Sequence, residues 1–336
     1  MKQKKYQMDY IRVISMLVII VYHFATTCYS YGIQNKAVSV LMNFERVNYG
    51  EVATNMFFLL SGAGLLLSSQ KDFSIQKFYK KRFWKTYPLF WICYLVIFCF
   101  HYYFTQNLPA EPRWKLIFSV LGIDGWLKQY TGNYYLIGEW FLGALLIIYL
   151  FFPLFLYLRK TYPGGVLFGG SLILYIGAIV TDTGKYPIYM NLFVCTFNFV
   201  LGMYIMQILE KSNKIVTMLS IFVIMAFGVK LGTEYVNETV KETIAAVCVF
   251  IILWNVSSYL RRSRLLETAV SYISKYSYVI FLVHHYVLER MLYKFKGGVV
   301  SGFELLIIFT ACFFVILALA KLFCNLEERI RVTIGC

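Results

Sequence analysis

Apolar residues fill this chain in runs of about 17–25 residues, separated by short polar stretches. Runs of that length suit helices that cross a lipid bilayer, where every backbone polar group must be satisfied within the helix. Ten such segments are predicted, over residues 10–30, 52–69, 87–105, 136–158, 165–181, 187–208, 214–231, 241–259, 272–292 and 302–324. Between Gln106 and Gly138 lies the longest polar interruption. Its segment RWKLIFSVLGIDGWLKQY is amphipathic and too short to span, so it predicts an interfacial or re-entrant helix. No internal repeat and no Ser/Thr/Pro-rich linker breaks the pattern. The expectation is an all-α integral membrane protein, one polytopic domain over residues 1–336 with about ten transmembrane helices and no fused soluble domain.

Composition agrees with the pattern. Hydrophobic residues make up 60% of the chain and charged residues 15%, against about half and about a quarter in soluble domains. Mean hydropathy is +0.64. Lys2, Lys4 and Lys5 before the first apolar run resemble a secretory leader, but the run contains Arg12 and His23 and lacks a small-x-small cleavage site, which predicts a retained first helix. The eight cysteines are scattered, without a C-x-x-C pair, and read as small core residues.

The formal net charge of +15 invites a nucleic-acid reading. Its distribution points elsewhere. With an even number of spans and a basic N-terminus, both termini are placed in the cytoplasm. Cytoplasmic segments then carry twenty Lys/Arg and six acids, and outer segments eleven of each, with Arg12 left inside the first helix. The basic excess is a topology signal, and no nucleic-acid partner is expected. One cytoplasmic stretch, KDFSIQKFYKKRFWKTYP, interleaves Lys71, Lys77, Lys80, Lys81, Arg82 and Lys85 with Phe78, Tyr79, Phe83 and Trp84. It reads as a basic amphipathic turn at the membrane surface, facing either anionic lipid or a phosphorylated ligand.

Four histidines, no Cys/His metal spacing, no H-E-x-x-H, no G-x-S-x-G and no P-loop leave metal and nucleotide-hydrolysis chemistry without support. What stands out is the first helix. Arg12 and His23 are eleven residues apart, close to three turns, so both leave one face about 16 Å apart. Ionisable groups inside lipid are expensive and mark function by default. Histidine takes a hydroxyl proton near neutral pH, and arginine holds a phosphate or carboxylate in a fork. Further candidates are the small-residue stretch Ser61-Gly62-Ala63-Gly64, Glu139-Trp140 at the start of the fourth span, and the adjacent pair His284 and His285, of which at most one is expected to line a given cavity. His101 reads as interfacial. On these residues alone, acyl transfer from a coenzyme A thioester, proton-coupled transport and other membrane roles all stay open.

Several of these pieces resemble the membrane-bound acyltransferase-3 family, whose members acylate cell-surface sugars. Arg12 and His23 have the family's Arg-x10-His spacing, Phe57-Phe58-Leu59-Leu60-Ser61-Gly62 follows its second helix, and Arg82-Phe83-Trp84-Lys85 with Tyr87-Pro88 follows its Arg-x-x-Arg and aromatic-Pro element. Trp140 to Pro153 and Ser277-Tyr278 to His284 match two later elements. Lys85 replaces the family's second arginine and loses the planar fork. The resemblance implies a membrane O-acyltransferase that moves an acetyl or other short acyl group, such as succinyl, from cytosolic acyl-CoA to a hydroxyl of a cell-surface or exported polysaccharide. His23 would be the catalytic base and Arg12 would orient the donor. Arg82, Lys81, Lys85 and Ser61 would hold coenzyme A, and Glu139, Trp140 and His284 would line the substrate. It implies acyl-CoA as donor substrate with no bound cofactor and no metal, a glycan acceptor, membrane lipids around the protein, and a bacterial plasma membrane, with a homodimer left open. The rival reading is a transporter or exporter of a glycan or lipid-linked sugar.

Overall fold

The computed structural model describes residues 2–44, 47–69, 73–107, 111–162, 165–210, 214–228, 235–261 and 263–334; Lys71 of the basic stretch lies outside them. Its helices are α1 (Lys2–Ser30), α2 (Ala37–Met42), α3 (Tyr49–Ser68), α4 (Ile75–Thr105), α5 (Leu116–Val120), α6 (Asp124–Leu127), α7 (Glu139–Thr161), α8 (Val166–Val180), α9 (Leu192–Glu210), α10 (Lys214–Gly228), α11 (Glu238–Leu260), α12 (Arg264–Leu292) and α13 (Gly302–Ile334). A small antiparallel pair, β1 (Asn43–Phe44) with β2 (Val47–Asn48), precedes α3.

Every predicted apolar segment contains a helix; residues 229–231 of the seventh lie outside the described residues. By length and apolarity α1, α3, α4, α7, α9, α11 and α13 can cross a membrane, which gives an all-α integral membrane protein with seven such helices among the described residues. The apolar helices α8 and α10 are shorter. In α12, Lys275, His284, His285, Glu289 and Arg290 dilute an otherwise apolar run.

Two expectations change. The basic stretch before the third span is the first part of α4 itself, because Ser74 caps the helix by accepting from the Lys77 amide and nothing stops it before Pro88. Pro88 has no amide hydrogen to give the carbonyl one turn back, at Trp84. Arg331 Nη2 donates to that carbonyl at 2.6 Å instead. The amphipathic segment after α4 is two short helices, α5 and α6, broken where Gly122 takes a positive φ of 69°.

The chain forms two compact units. The first comprises residues 1–29, 36–71 and 152–275. Its centre is the crossing of α3 with α9, where backbone meets backbone at two glycines. A Cβ on Gly62 would fall on the Phe199 carbonyl oxygen, and one on Gly202 would fall on that of Leu59. In a membrane, where lipid is as apolar as leucine, such close backbone approach supplies the packing that holds helices together. Around the crossing, Ile11, Met56, Leu60, Ile205, Phe250 and Trp254 form a buried cluster.

The second unit comprises residues 30–35, 72–151 and 276–336. Here α4 packs on α13. Tyr278 Oη donates to the Thr86 carbonyl at 3.1 Å, and Tyr79 Oη to that of Leu150 at 2.7 Å. The segment from Glu111 to Gly138 is pinned by polar bonds: Lys115 Nζ to Glu111 Oε2 (2.6 Å), Thr131 Oγ1 (2.9 Å) and the Gly132 carbonyl (2.8 Å), and Tyr94 Oη to the Tyr134 carbonyl (2.5 Å). Trp114, Ile117 and Val120 stay exposed on its outer face, as an interfacial segment requires.

Candidate functional site

In the first unit the site is one face of α1. The helix is continuous from Lys2 to Ser30, so it fixes the Arg12 to His23 separation. Arg12 is two-thirds buried and already engaged: Nη1 donates to Asp9 Oδ1 at 2.5 Å and to Ser274 Oγ at 3.1 Å, while Ser274 Oγ donates to the same Asp9 oxygen at 2.9 Å. An aspartate one turn earlier is the local i, i+3 pairing. It neutralises the arginine in a low-dielectric setting and leaves the remaining guanidinium donors for an anion. His23 is half-buried, with Tyr22 edge-on to its ring at 5.3 Å. Tyr22 Oη accepts from Asn48 Nδ2 at 3.0 Å, and Asn48 Oδ1 caps α3 by accepting from the amides of Gly50 and Glu51. The tyrosine lies so close to Gly50 that a Cβ there would sit 2.5 Å from its ring. The residue beside His23 is thus tied to the start of α3. Ser61 is half-buried on α3, next to Gly62 and its contact with Phe199.

In the second unit the polar residues gather at the start of α7 and the end of α12. His284 is fully buried, and its Nδ1 is 2.8 Å from the Phe281 carbonyl. A carbonyl only accepts, so this bond puts the proton on Nδ1 and the lone pair on Nε2. A Glu139 carboxylate oxygen and a His284 ring nitrogen lie within 4.8 Å. Glu139 also faces His285, whose Nδ1 is 3.5 Å from Glu139 Oε1 and 3.5 Å from Glu289 Oε1. Those are pairing distances rather than good hydrogen bonds. Tyr135 hydrogen-bonds the Glu139 carboxylate; enclosure of its hydroxyl and the neighbouring acids push the Tyr135 pKa well up. Glu139 itself has φ of 44°, after Gly138 at 92°. A left-handed backbone at a non-glycine residue is stored strain of about 1–3 kcal/mol, and it aims this carboxylate.

Behind Glu139 lies Asp124, only 1% exposed. Burial raises its pKa to about 6, against the opposing hydrogen bonds from Ser119 and the Gly125 amide. Gly125 is pressed against the Glu139 carbonyl; a Cβ there would be 2.6 Å away. Trp140 follows Glu139 on α7 and is half-buried.

Arg82 differs from the lysines around it. Its guanidinium carbon lies 5.8 Å from the ring centroids of both Phe78 and Tyr149, and its Nε is buried with no hydrogen-bond partner among the described residues. Lys81 and Lys85 are exposed on the same helix. The arrangement is a half-buried, aromatic-framed arginine with exposed cations beside it, suited to a polyanion.

The candidates read from sequence therefore fall in both units: Arg12, His23 and Ser61 in the first, and Arg82, Lys81, Lys85, Glu139, Trp140 and His284 in the second. The structure joins Glu139 to His284 and also to His285, the second member of the adjacent pair, and adds Asp9, Ser274, Asp124, Tyr135 and Glu289, which the sequence reading passed over. Of these, Asp9 had a signal in its spacing from Arg12, and Glu289 in its spacing from His285.

The family model Acyl_transf_3, an acyltransferase domain, matches residues 5–324. Acyltransferase MdmB of Streptomyces mycarofaciens is 31% identical over 120 residues, covering 34% of this chain and 30% of MdmB. The match thus spans less than a third of that relative's length. No solved structure matches the chain.

Proposed function

The chain belongs to this acyltransferase family, and from that premise we propose that it moves an acetyl or other short acyl group from cytosolic acyl-CoA to a hydroxyl of a cell-surface or exported polysaccharide. The enzyme class, an acyltransferase of groups other than aminoacyl in a multi-pass membrane protein, follows from the family and the apolar helices. The donor, the acceptor, the roles of the residues and the setting in a bacterial plasma membrane are the proposal.

The observation that carries it is the polar face of α1. His23 and Arg12 share one rigid helix, and Arg12 is locked by Asp9 and Ser274. With the basic N-terminus inside, Arg12 lies near the cytoplasmic boundary and His23 about two-thirds of the way across. A coenzyme A thioester has matching form, with phosphates at one end and a reactive carbonyl at the other. In this reading Arg82, Lys81 and Lys85 take the phosphates, Ser61 flanks the donor, and Arg12 orients it. His23 removes the proton from the acceptor hydroxyl as its oxygen attacks the thioester carbonyl. The carbon–sulfur bond breaks, the acyl group stays on the acceptor oxygen, and the proton passes to the departing thiolate to give free coenzyme A. Glu139, Trp140 and His284 line the acceptor.

The test is transfer of labelled acetyl from acetyl-CoA by purified protein in nanodiscs, with the cell's surface glycan, for wild type and His23→Ala. Label on the glycan that is lost in the variant supports the reading. No thioester turnover with any short acyl-CoA, from folded protein and authentic glycan, overturns it in favour of a transporter.

A further inference from the structure

A cavity of about 370 Å³ opens in the second unit beside the Glu139 cluster. Its wall includes Tyr31, Tyr135, His285, Glu289, Arg290 and Tyr293. Each is carried by the helix end or loop that the charge distribution places outside: the turn after α1, the segment before α7, and the end of α12. The rim is braced. Gly297 donates its amide to the Tyr31 carbonyl at 2.9 Å, Gln34 to the Gly298 carbonyl at 2.9 Å, and Asn35 Nδ2 to the Val300 carbonyl at 2.7 Å. Tyr31 and Tyr293 meet edge to face at 5.9 Å, and Tyr293 is 63% exposed.

We propose that this cavity is a saccharide subsite, holding a pyranose unit of the acceptor by stacking on Tyr293 and Tyr31 and by hydrogen bonds to Glu289, His285 and Arg290. A sugar ring has an apolar C–H face and a rim of hydroxyls that both donate and accept. The wall matches that pattern, with tyrosine rings beside carboxylate, imidazole and guanidinium groups. A phosphate or anionic lipid headgroup fits worse. The cations here already lie against tyrosine rings, Lys128 Nζ 4.7 Å from Tyr135 and the Arg290 guanidinium 5.3 Å from Tyr286, and Glu139 and Glu289 face the same imidazole. A bound anion would meet the Glu289 carboxylate in the wall.

The subsite rests on the polysaccharide acylation reading, so the test separates the two. Hydrogen exchange is followed on the full-length protein in nanodiscs, with oligosaccharides cut from the cell's own surface polysaccharide, inorganic phosphate, or anionic-lipid nanodiscs as probes. Oligosaccharide should protect the peptides around residues 124–138 and 285–301, whether or not acetyl is transferred. In kinetics, Tyr293→Ala should raise the KM for oligosaccharide about three- to ten-fold and leave the KM for acetyl-CoA unchanged, the size expected for one lost aromatic contact. Transfer with neither the protection nor the KM shift overturns the subsite and leaves the acyltransferase standing. Protection by oligosaccharide without thioester turnover keeps the subsite and overturns the enzyme reading. Protection by phosphate or anionic lipid alone overturns the saccharide in favour of an anion site.

Discussion

Two ionisable clusters in this protein are built in opposite ways. Arg12 on α1 meets its carboxylate within its own helical turn, and a single serine from α12 completes the set. The cluster at Glu139 draws on a loop, a helix start and a helix end, and it bends the backbone at Glu139 into the left-handed region. The first is set by helix geometry and costs the chain little. The second exists only because the segment from Glu111 to Gly138 is pinned in place. The helical cluster should therefore be robust and sensitive chiefly in its chemistry. The corner cluster should be sensitive in stability, strain and pH.

That contrast can be broken at several points. The largest effect is expected from His23→Ala on the helical face: transfer falls by about 10²–10⁴-fold, the value of a positioned base, while the thermal melt stays within a degree or two of wild type. A comparable drop in melting temperature would show that this face is a folding element. Next in size is the pH dependence of the corner. Asp124 has its folded pKa raised from 3.8 to about 6, so its protonated form is favoured by the fold. Its contribution is fully present below the unfolded pKa and is lost as pH rises through the folded one. Between about pH 4 and pH 6 the corner should lose about 3 kcal/mol, read as faster hydrogen exchange in peptides around residues 111–138. Asp124→Asn should abolish that slope. A slope unchanged in the variant would assign it to another group.

Smaller effects discriminate more finely. Asp9→Asn leaves Arg12 with Ser274 but without a charge partner; because the guanidinium is one-third exposed, the expected stability loss is about 1 kcal/mol, measured by denaturant titration. A loss several times larger would make the α1 cluster as demanding as the corner. The smallest effect isolates backbone strain. Glu139→Gly and Glu139→Ala both remove the carboxylate, and only glycine relaxes at φ of 44°, so the glycine variant should be the more stable by about 1 kcal/mol. Equal stability would show that the surrounding contacts, not the residue, set that conformation.

The same contrast explains what could be read from the sequence. Long apolar runs favour helices, which is why each predicted segment contains one, although among the described residues only seven are long and apolar enough to cross a membrane; the Arg12 to His23 spacing follows from helical geometry alone. The Ser61–Gly64 stretch stood out in the sequence by its small residues, and Gly62 does touch α9, although no pattern in the sequence names Phe199 as what it meets. The corner was not legible, because its partners come from distant segments. Helical spacing says that His284 and His285 diverge, but it does not say which of them meets Glu139, and both approach it. Gly122 gave no sign that it would split the amphipathic segment, since a single glycine inside such a pattern is often tolerated.

The glycine crossing of α3 with α9 bears on how the protein is made. These two helices are separated in sequence by α4 to α8, so during synthesis α3 waits in the bilayer, its bare backbone covered only by lipid, until α9 emerges. A bulky substitution at Gly62 or Gly202 would strand that intermediate, and the cell would register it as a polypeptide cleared by quality-control proteolysis, with no mature enzyme left to assay.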